Sequence, residues 1–404
     1  MNFITILGKT SIISIFSSCI TYFSYFYLAA NAFNDDFGSF TYLQSLMLLL
    51  INIMPFGSTM AVVVFRFNIE EYSYFQLINE RIIILMPVVF IFVSFVAALL
   101  SNYKIINVEF KLFLCVVFIC FSNSVSLVVM GYYRVSQKFM KYGVLFLVYT
   151  IVNSLFFVFN YFNFESLNEA FYCNALLSFS FSLFCYYSMT RETCKVAVSN
   201  GVFNRFVVSA KYGLPIVLSS LTMSFLVVGD KIILGGIAPE MLKSYGVAAL
   251  ISSTTLFLVN NFASSWGAFL VKKCSTENNK VLFYYKSNIP KLFLIIPIAL
   301  IAFLAQYFIY IFFYADENPN IFPIVIILTS AYLVFGLSKF FMGYMNFFKK
   351  NVAVFLSSII GVFGVFFVAF QMDGMQGMAL SILLGMILQL LFCIFYTNKL
   401  LKGI

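Results

Sequence analysis

Long apolar runs broken by short polar joints dominate the 404-residue chain. A helix that spans the hydrocarbon core of a bilayer needs about 20 mostly apolar residues. Twelve segments meet that requirement: 10–31, 39–64, 82–101, 112–132, 143–163, 170–189, 208–229, 246–270, 291–314, 322–346, 352–371 and 376–397. The pattern predicts an all-α integral membrane protein of twelve transmembrane helices. Prolines inside such spans are tolerated because neighbouring helices re-satisfy the backbone, so Pro55, Pro87 and Pro297 are expected as kinks. The first segment has Lys9, an apolar run and Ala30-Asn31-Ala32, as a cleaved signal does. Its run exceeds the roughly 7–15 apolar residues of a signal. It also carries Ser11, Ser14, Ser18 and Thr21 at helical spacing, so a retained first helix is expected.

Composition sharpens the class. The chain is 62% hydrophobic and 10% charged, against about 25% charged in soluble domains. With no histidine, the usual general base and the commonest metal ligand are missing. The eight cysteines have no C-x-x-C spacing and sit mostly in apolar runs, where they read as small buried hydrophobes. No cofactor or metal is expected, and no catalytic residue stands out. A net charge of +9 can indicate nucleic acid, but in a membrane protein the first question is which loops carry it. With the N-terminus placed in the cytoplasm, Lys104, Lys111, Lys231 and Lys243 are the basic residues on the far side, and Lys339 lies within a span. All other lysines and arginines fall inside, as the positive-inside tendency requires. Acidic residues lean outward, among them Asp35, Asp36, Glu109, Asp230, Asp316 and Asp373. Both termini are then cytoplasmic, and no nucleic-acid partner is expected. The outer loops are short, so the protein is expected to work within its helix bundle.

The chain also repeats itself. Phe37-Gly38-Ser39-Phe40-Thr41 opens the second span, and Tyr245-Gly246-Val247-Ala248-Ala249 opens the eighth, about half a chain later. Both halves start inside, which predicts a parallel pseudo-repeat of two six-helix lobes, 1–200 and 201–404. Substrate sites in such transporters lie between the halves.

Polar groups within a membrane are costly and normally face the bundle interior or a cavity. In the tenth span Thr329, Tyr332, Gly336, Lys339, Gly343 and Asn346 share one helical face. Lys339 either snorkels to the inner headgroups or faces a cleft, and the flanking glycines favour the cleft. A second set comprises the serine face of the first span with Gln44, Ser45 and Asn52, and a third runs along the eighth span from Ser252 to Ser265 through Asn260. Helices 3, 9 and much of 11 read as uniformly apolar and lipid-facing. Ser357, Gly361 and Gly364, with Ser381, Gly385 and Gln389, read as close-packing faces. Asp230-Lys231 ends the seventh span on the outside, as an interfacial stop, a gate salt bridge or a proton-coupling pair.

The stretches KYGLPIVLSSL (Lys211–Leu221), GDKIILGG (Gly229–Gly236) and YGVAALI (Tyr245–Ile251) resemble the start of the second half of Wzx-type bacterial polysaccharide flippases. These belong to the multidrug/oligosaccharidyl-lipid/polysaccharide exporter (MOP) superfamily. NDDFGSFTYLQSLMLLLINIMPFGSTMAVVVFR (Asn34–Arg66) and GYYRVSQKFMKYG (Gly131–Gly143) are similar to the first half of the same family. The resemblance implies a V-shaped, MATE-like bundle in the bacterial inner membrane. It implies transfer of an undecaprenyl-pyrophosphate-linked oligosaccharide, as in O-antigen or lipopolysaccharide assembly, from the cytoplasmic to the periplasmic leaflet. Its implied partners are membrane lipids, a polysaccharide polymerase and a chain-length regulator. A buried pyrophosphate needs cationic donors. Lys339 is the internal candidate, with Lys9, Arg66, Arg134, Lys211 and Lys272 as a cytoplasmic rim and Asn260 and Asn346 as polar contacts. Asp230, Lys231, Asp35 and Asp36 are candidates for gating or for coupling to a proton or sodium gradient. Two other classes compete. A drug or cation antiporter of the same superfamily usually needs an acid deep in a span, whereas the acids here sit at span edges. A membrane glycosyl polymerase generally carries a large outer loop with catalytic Arg or His, which this chain lacks.

Overall fold

The computed structural model describes residues 3–33, 36–58, 71–103, 108–136, 138–192, 202–276, 289, 295–314, 321–348, 350–372 and 374–402. Those residues are almost entirely helical. We name the helices α1 (Phe3–Asn31), α2 (Asp36–Ile53), α3 (Glu71–Glu80), α4 (Met86–Asn102), α5 (Phe110–Val135), α6 (Phe139–Thr150), α7 (Phe156–Phe164) and α8 (Leu167–Glu192). They continue as α9 (Val202–Ile237), α10 (Leu242–Thr276), α11 (Ile295–Phe313), α12 (Phe322–Phe347), α13 (Asn351–Ala369) and α14 (Gly374–Lys402). Single π turns, Arg81–Leu85 and Ile151–Leu155, join α3 to α4 and α6 to α7.

Among the described residues, eight helical stretches are long and apolar enough to cross a membrane. α8 is as long as several of them but is diluted by Asn168, Asn174, Ser178, Ser180 and Ser182. Large side chains remain exposed on α4 (Ile91, Phe92, Phe95), α11 (Ile301, Phe308, Phe312) and α13 (Phe363, Phe367). Such patches are a liability in water and ordinary against lipid tails. Pro55 breaks its helix rather than bending it: α2 stops at Ile53, and Phe56 and Gly57 follow at φ 44 and 73. Pro87 lies inside the continuous helical track Glu71–Asn102, directly after the first π turn, where the hydrogen-bond ladder is already irregular.

The chain forms two compact units that interleave in sequence. One combines Met1–Leu7, Ala29–Tyr42 and Thr222–Ile404, and the other combines Gly8–Leu28 and Leu43–Leu221. Helices α1, α2 and α9 therefore each contribute to both.

In the first unit α12 packs along α10 and α14, and α14 along α13. Phe340, Phe341, Tyr344, Met345, Val354 and Cys393 form a buried cluster there. The glycines on the α13–α14 faces set the spacing. A Cβ on Gly385 would stand 2.6 Å from the carbonyl oxygen of Gly361, and one on Gly361 would stand 3.0 Å from that of Gly385. Two backbones meet there with no room for a methyl group. The two repeat openings also meet in this unit: Gly38 lies against the backbone of Leu242 and Lys243, and Gly246 against Thr41.

In the second unit α5 packs against α4, α6 and α8. Its buried cluster includes Ile78, Met86, Val125, Val129, Tyr133, Leu145, Phe181 and Cys185. A neutral polar knot ties three helices within it. Asn153, on the second π turn, accepts from Asn123 at 2.8 Å and from Ser178 at 3.3 Å, and donates to the Tyr149 carbonyl at 2.9 Å. At one end of the unit Glu192 accepts from Lys138 at 2.6 Å and from Lys141, beside the Tyr133 hydroxyl. Burial alone raises the Glu192 pKa, but the bonds from the two lysines outweigh it and hold the carboxyl below its ordinary value of 4.5. The same bond raises the Lys138 pKa.

Gly385→Ala is expected to lower the melting temperature of the purified protein, since overpacking a tight contact costs about 1–3 kcal/mol. Gly236→Ala, on a helix position with nothing within 4 Å, is expected to leave it unchanged or raise it, because alanine favours a helix by about 1 kcal/mol. Equal effects of the two would contradict the packing described. A carboxylate with a lowered folded pKa stabilises above its unfolded value and loses that contribution as pH falls through the folded value. Glu192→Gln is therefore expected to melt lower than the parent chain near neutral pH. The two melting curves should converge as pH is taken below 4.5.

Candidate functional site

The polar face read from the tenth span is the spine of the first unit. On α12 the residues Thr329, Tyr332, Phe335, Gly336 and Lys339 follow one another along a single stripe. It packs against α10, and each polar group on it meets a partner from another helix.

At one end of the stripe Gln306 of α11, completely buried, makes a three-helix tie. Its amide donates to Thr255 at 2.8 Å, to Thr254 at 3.1 Å and to the Ile251 carbonyl at 3.4 Å, and its oxygen accepts from Thr329 at 2.8 Å. Ser252 adds a bond to the Val325 carbonyl at 3.2 Å. The sequence marked this helix as uniformly apolar. The lone glutamine corrects that: it lets an otherwise apolar helix saturate the hydroxyls of α10. Several hydroxyls expected to border water are thus satisfied by protein.

One turn on from Thr329, Tyr332 reaches the ion pair. Asp230 is 0% exposed and Lys231 8%. Lys231 Nζ donates to Asp230 Oδ1 at 3.1 Å and Oδ2 at 3.4 Å, and to the Val227 carbonyl at 3.1 Å. The Tyr245 hydroxyl donates to Asp230 Oδ2 at 2.6 Å, and Tyr332 of α12 lies close enough to interact electrostatically with Lys231. The sequence placed this pair at the polar end of its span. In the structure α9 runs on through Ile232, Ile233 and Leu234 to Ile237, and the pair lies inside the packed unit. An isolated buried charge is prohibitive, whereas a paired and fully hydrogen-bonded one is tolerable.

Beyond the pair, Gly336 admits Val259 of α10: a Cβ there would stand 2.9 Å from both Val259 methyl groups. This close approach brings Lys339 to Asn260. Lys339 donates to Asn260 Oδ1, and its Nζ sits 4.5 Å from the centroid of the buried Phe335 ring. The side chain runs back toward the N-terminal end of its own helix, over the residue four positions earlier. A lysine snorkelling past the C-terminal end would point the other way. Lys339 is half-buried and Asn260 exposed, so one cation at the margin of the stripe stays accessible. In the α9 pair packed against the stripe Asp230 and Lys231 cancel, and Lys339 leaves the charge of the described site positive.

The other residues singled out are dispersed. Arg134 is exposed in the last turn of α5, and Asn346 is exposed near the end of α12. Asp36 starts α2, its N–H bonded to the Phe33 carbonyl at 3.1 Å. Arg66 and Asp35 lie outside the described residues. Lys9, Lys211 and Lys272 fall in α1, α9 and α10, and their side chains lie outside the described set. Arg81, read from sequence as a cytoplasmic loop residue, is 2% exposed on the first π turn, with a contact to Ser58 Oγ at 3.4 Å. Among the described residues no group of three His, Cys, Asp or Glu side chains is arranged to hold a metal.

No family model and no curated protein sequence matches the chain. Solved structures do. An inward-facing multidrug resistance MATE family transporter of the MOP superfamily aligns with a TM-score of 0.72 at 13% identity, over 95% of this chain and 94% of that one. The lipid II flippase MurJ, in an inward closed conformation, aligns with a TM-score of 0.74 at 15% identity, over 96% and 87% of the two chains. A MOP superfamily transporter from Pyrococcus furiosus, described as having a binding pocket of reverse polarity, aligns with a TM-score of 0.63 at 12% identity, over 100% and 97%. The chain therefore has the multi-span helical fold of MOP superfamily transporters.

Proposed function

We propose that the protein is a flippase of the Wzx type. It carries undecaprenyl-pyrophosphate-linked oligosaccharide repeat units across the bacterial inner membrane by alternating access of two six-helix lobes. The observation that carries this reading is the charge of the stripe on α12. The acid packed against it, Asp230 of α9, is already neutralised by Lys231, and the accessible ionic group of the stripe is the cation Lys339, paired with the neutral amide of Asn260. A pyrophosphate bears two or more negative charges, and transferring it bare into hydrocarbon is prohibitive. An ammonium backed by an amide suits it, because charge-assisted hydrogen bonds to phosphate oxygens are about twice as strong as neutral ones. The polyprenyl tail stays in lipid, while the amide and hydroxyl groups meet sugars. Likeness to a lipid II flippase supports a lipid-linked substrate.

A cationic drug is the substrate of the competing reading, which the MATE neighbours keep in view. A stripe with net positive charge repels such a substrate. A polymerase is a poorer fit, since the fold is that of transporters.

Lys339→Ala is expected to reduce surface polysaccharide by tenfold or more, corresponding to roughly 1.4 kcal/mol or more, with the protein still present in the membrane. Lys339→Arg should retain part of the activity. Full activity of the alanine variant would remove Lys339 from substrate handling. Deleting the gene is expected to trap lipid-linked repeat units in the cytoplasmic leaflet, assayed by their accessibility from either side. Single repeats still reaching the surface without polymer would identify a polymerase instead. Drug sensitivity with normal polysaccharide would identify an exporter.

A further inference from the structure

The environment of the Lys231 ammonium has the composition of a cation site. Two carboxylate oxygens of Asp230 and the Val227 carbonyl at 3.1 Å face the same point, with Tyr332 of α12 close by. The Tyr245 hydroxyl holds the carboxylate in place from its other side. Hard monovalent and divalent cations take oxygens of these kinds, and backbone carbonyls replace the water that an ion sheds. Here a lysine from the next position in the chain fills the cage. Adjacent side chains on a helix do not face one another. The pair forms because the long lysine chain bends back to the carbonyl one turn earlier, which carries its ammonium across the carboxylate.

We propose that Lys231 is a tethered cation. Its ammonium occupies a site that, in its absence, takes a sodium ion, and it thereby makes charge balance at Asp230 independent of any external ion. Asp230 is completely buried, so removing the ammonium leaves an anion with neither water nor counter-charge. That anion must then recruit a cation or a proton. The oxygens already in place favour the cation. In the unaltered chain Asp230 takes up no coupling ion, and any gradient that drives the transporter acts elsewhere. Ion binding at this cage does not depend on which substrate is carried.

The test uses purified full-length protein in lipid nanodiscs, with radioactive sodium as the probe. The parent chain is expected to show no saturable sodium binding that disappears in Asp230→Asn. Lys231→Ala is expected to gain saturable binding, competed by lithium, with a melting temperature higher in sodium than in choline. That gain should be lost in the Asp230→Asn, Lys231→Ala double variant. Lys231→Arg keeps a tethered cation and should stay unresponsive. Should Lys231→Ala fail to fold without salt, its recovery by added sodium is the same result. Sodium binding by the parent chain that requires Asp230 overturns the proposal. So does a Lys231→Ala protein indifferent to sodium, or one that sodium, lithium and potassium all fail to recover.

Discussion

The first unit depends on one electrostatic constraint: a carboxylate taken wholly out of water must be compensated from within. Asp230 is held by an ammonium, a carbonyl-anchored geometry and a tyrosine from α10, and Tyr332 brings α12 to the same point. Three helices thus converge on one charge. Removing one partner of such a pair is strongly destabilising because the other is left bare, whereas the intact pair contributes little net stability. What the pair supplies is registry. With Tyr332 fixed against it, the face of α12 that meets α10 is set, and Thr329 on one side and Gly336 on the other fall into place. Gln306 and Val259 then find the partners described above.

Lys339 inherits its position from that registry. The missing side chain at Gly336 lets α10 come close enough for Asn260 to reach the ammonium, and Phe335 offers its ring beneath. A partly exposed cation over an aromatic face gains roughly 0.5–1 kcal/mol, which helps to hold the half-buried lysine in place. Lys339 and Lys231 therefore stand in different surroundings. One is accessible and lacks an acidic partner among the described residues, and the other is enclosed.

Much of this was legible in the chain, and the limits have physical causes. The polar stripe of α12 could be read because its residues recur at helical spacing, and Gly336 marked a close approach. The Gly361 and Gly385 contact followed from small residues at the same period. Asp230-Lys231 was misplaced because an acid and a base in succession look like the end of a span, and periodicity does not reveal that Ile232 to Ile237 continue the helix. Gln306 carried no pattern: one glutamine in an apolar run has no neighbour in sequence to show what it ties together. Arg81 looked like a loop residue for the same reason as Asp230, since a charge is taken as a boundary wherever it falls. The Asn123–Asn153–Ser178 knot was missed because its members belong to three different spans and converge only through packing.

The π turns have a consequence for the second unit that bears on how its surface is mapped. An α-helix advances about 100° per residue, at 3.6 residues per turn. A π turn closes its hydrogen bond one residue later, which inserts a residue without a matching advance along the axis. The angular phase of α7 is thus offset from that of α6 by roughly one residue, and α4 from α3 likewise. A helical wheel drawn continuously from Phe139 to Phe164 assigns the residues after Leu155 to the wrong side. Within α7, Phe156 and Phe159 are exposed while Phe157, Val158 and Tyr161 are buried. The two halves of that span therefore keep separate angular bookkeeping, and deletion of a single residue from either π turn would swing a whole helical segment around its axis by roughly 100°.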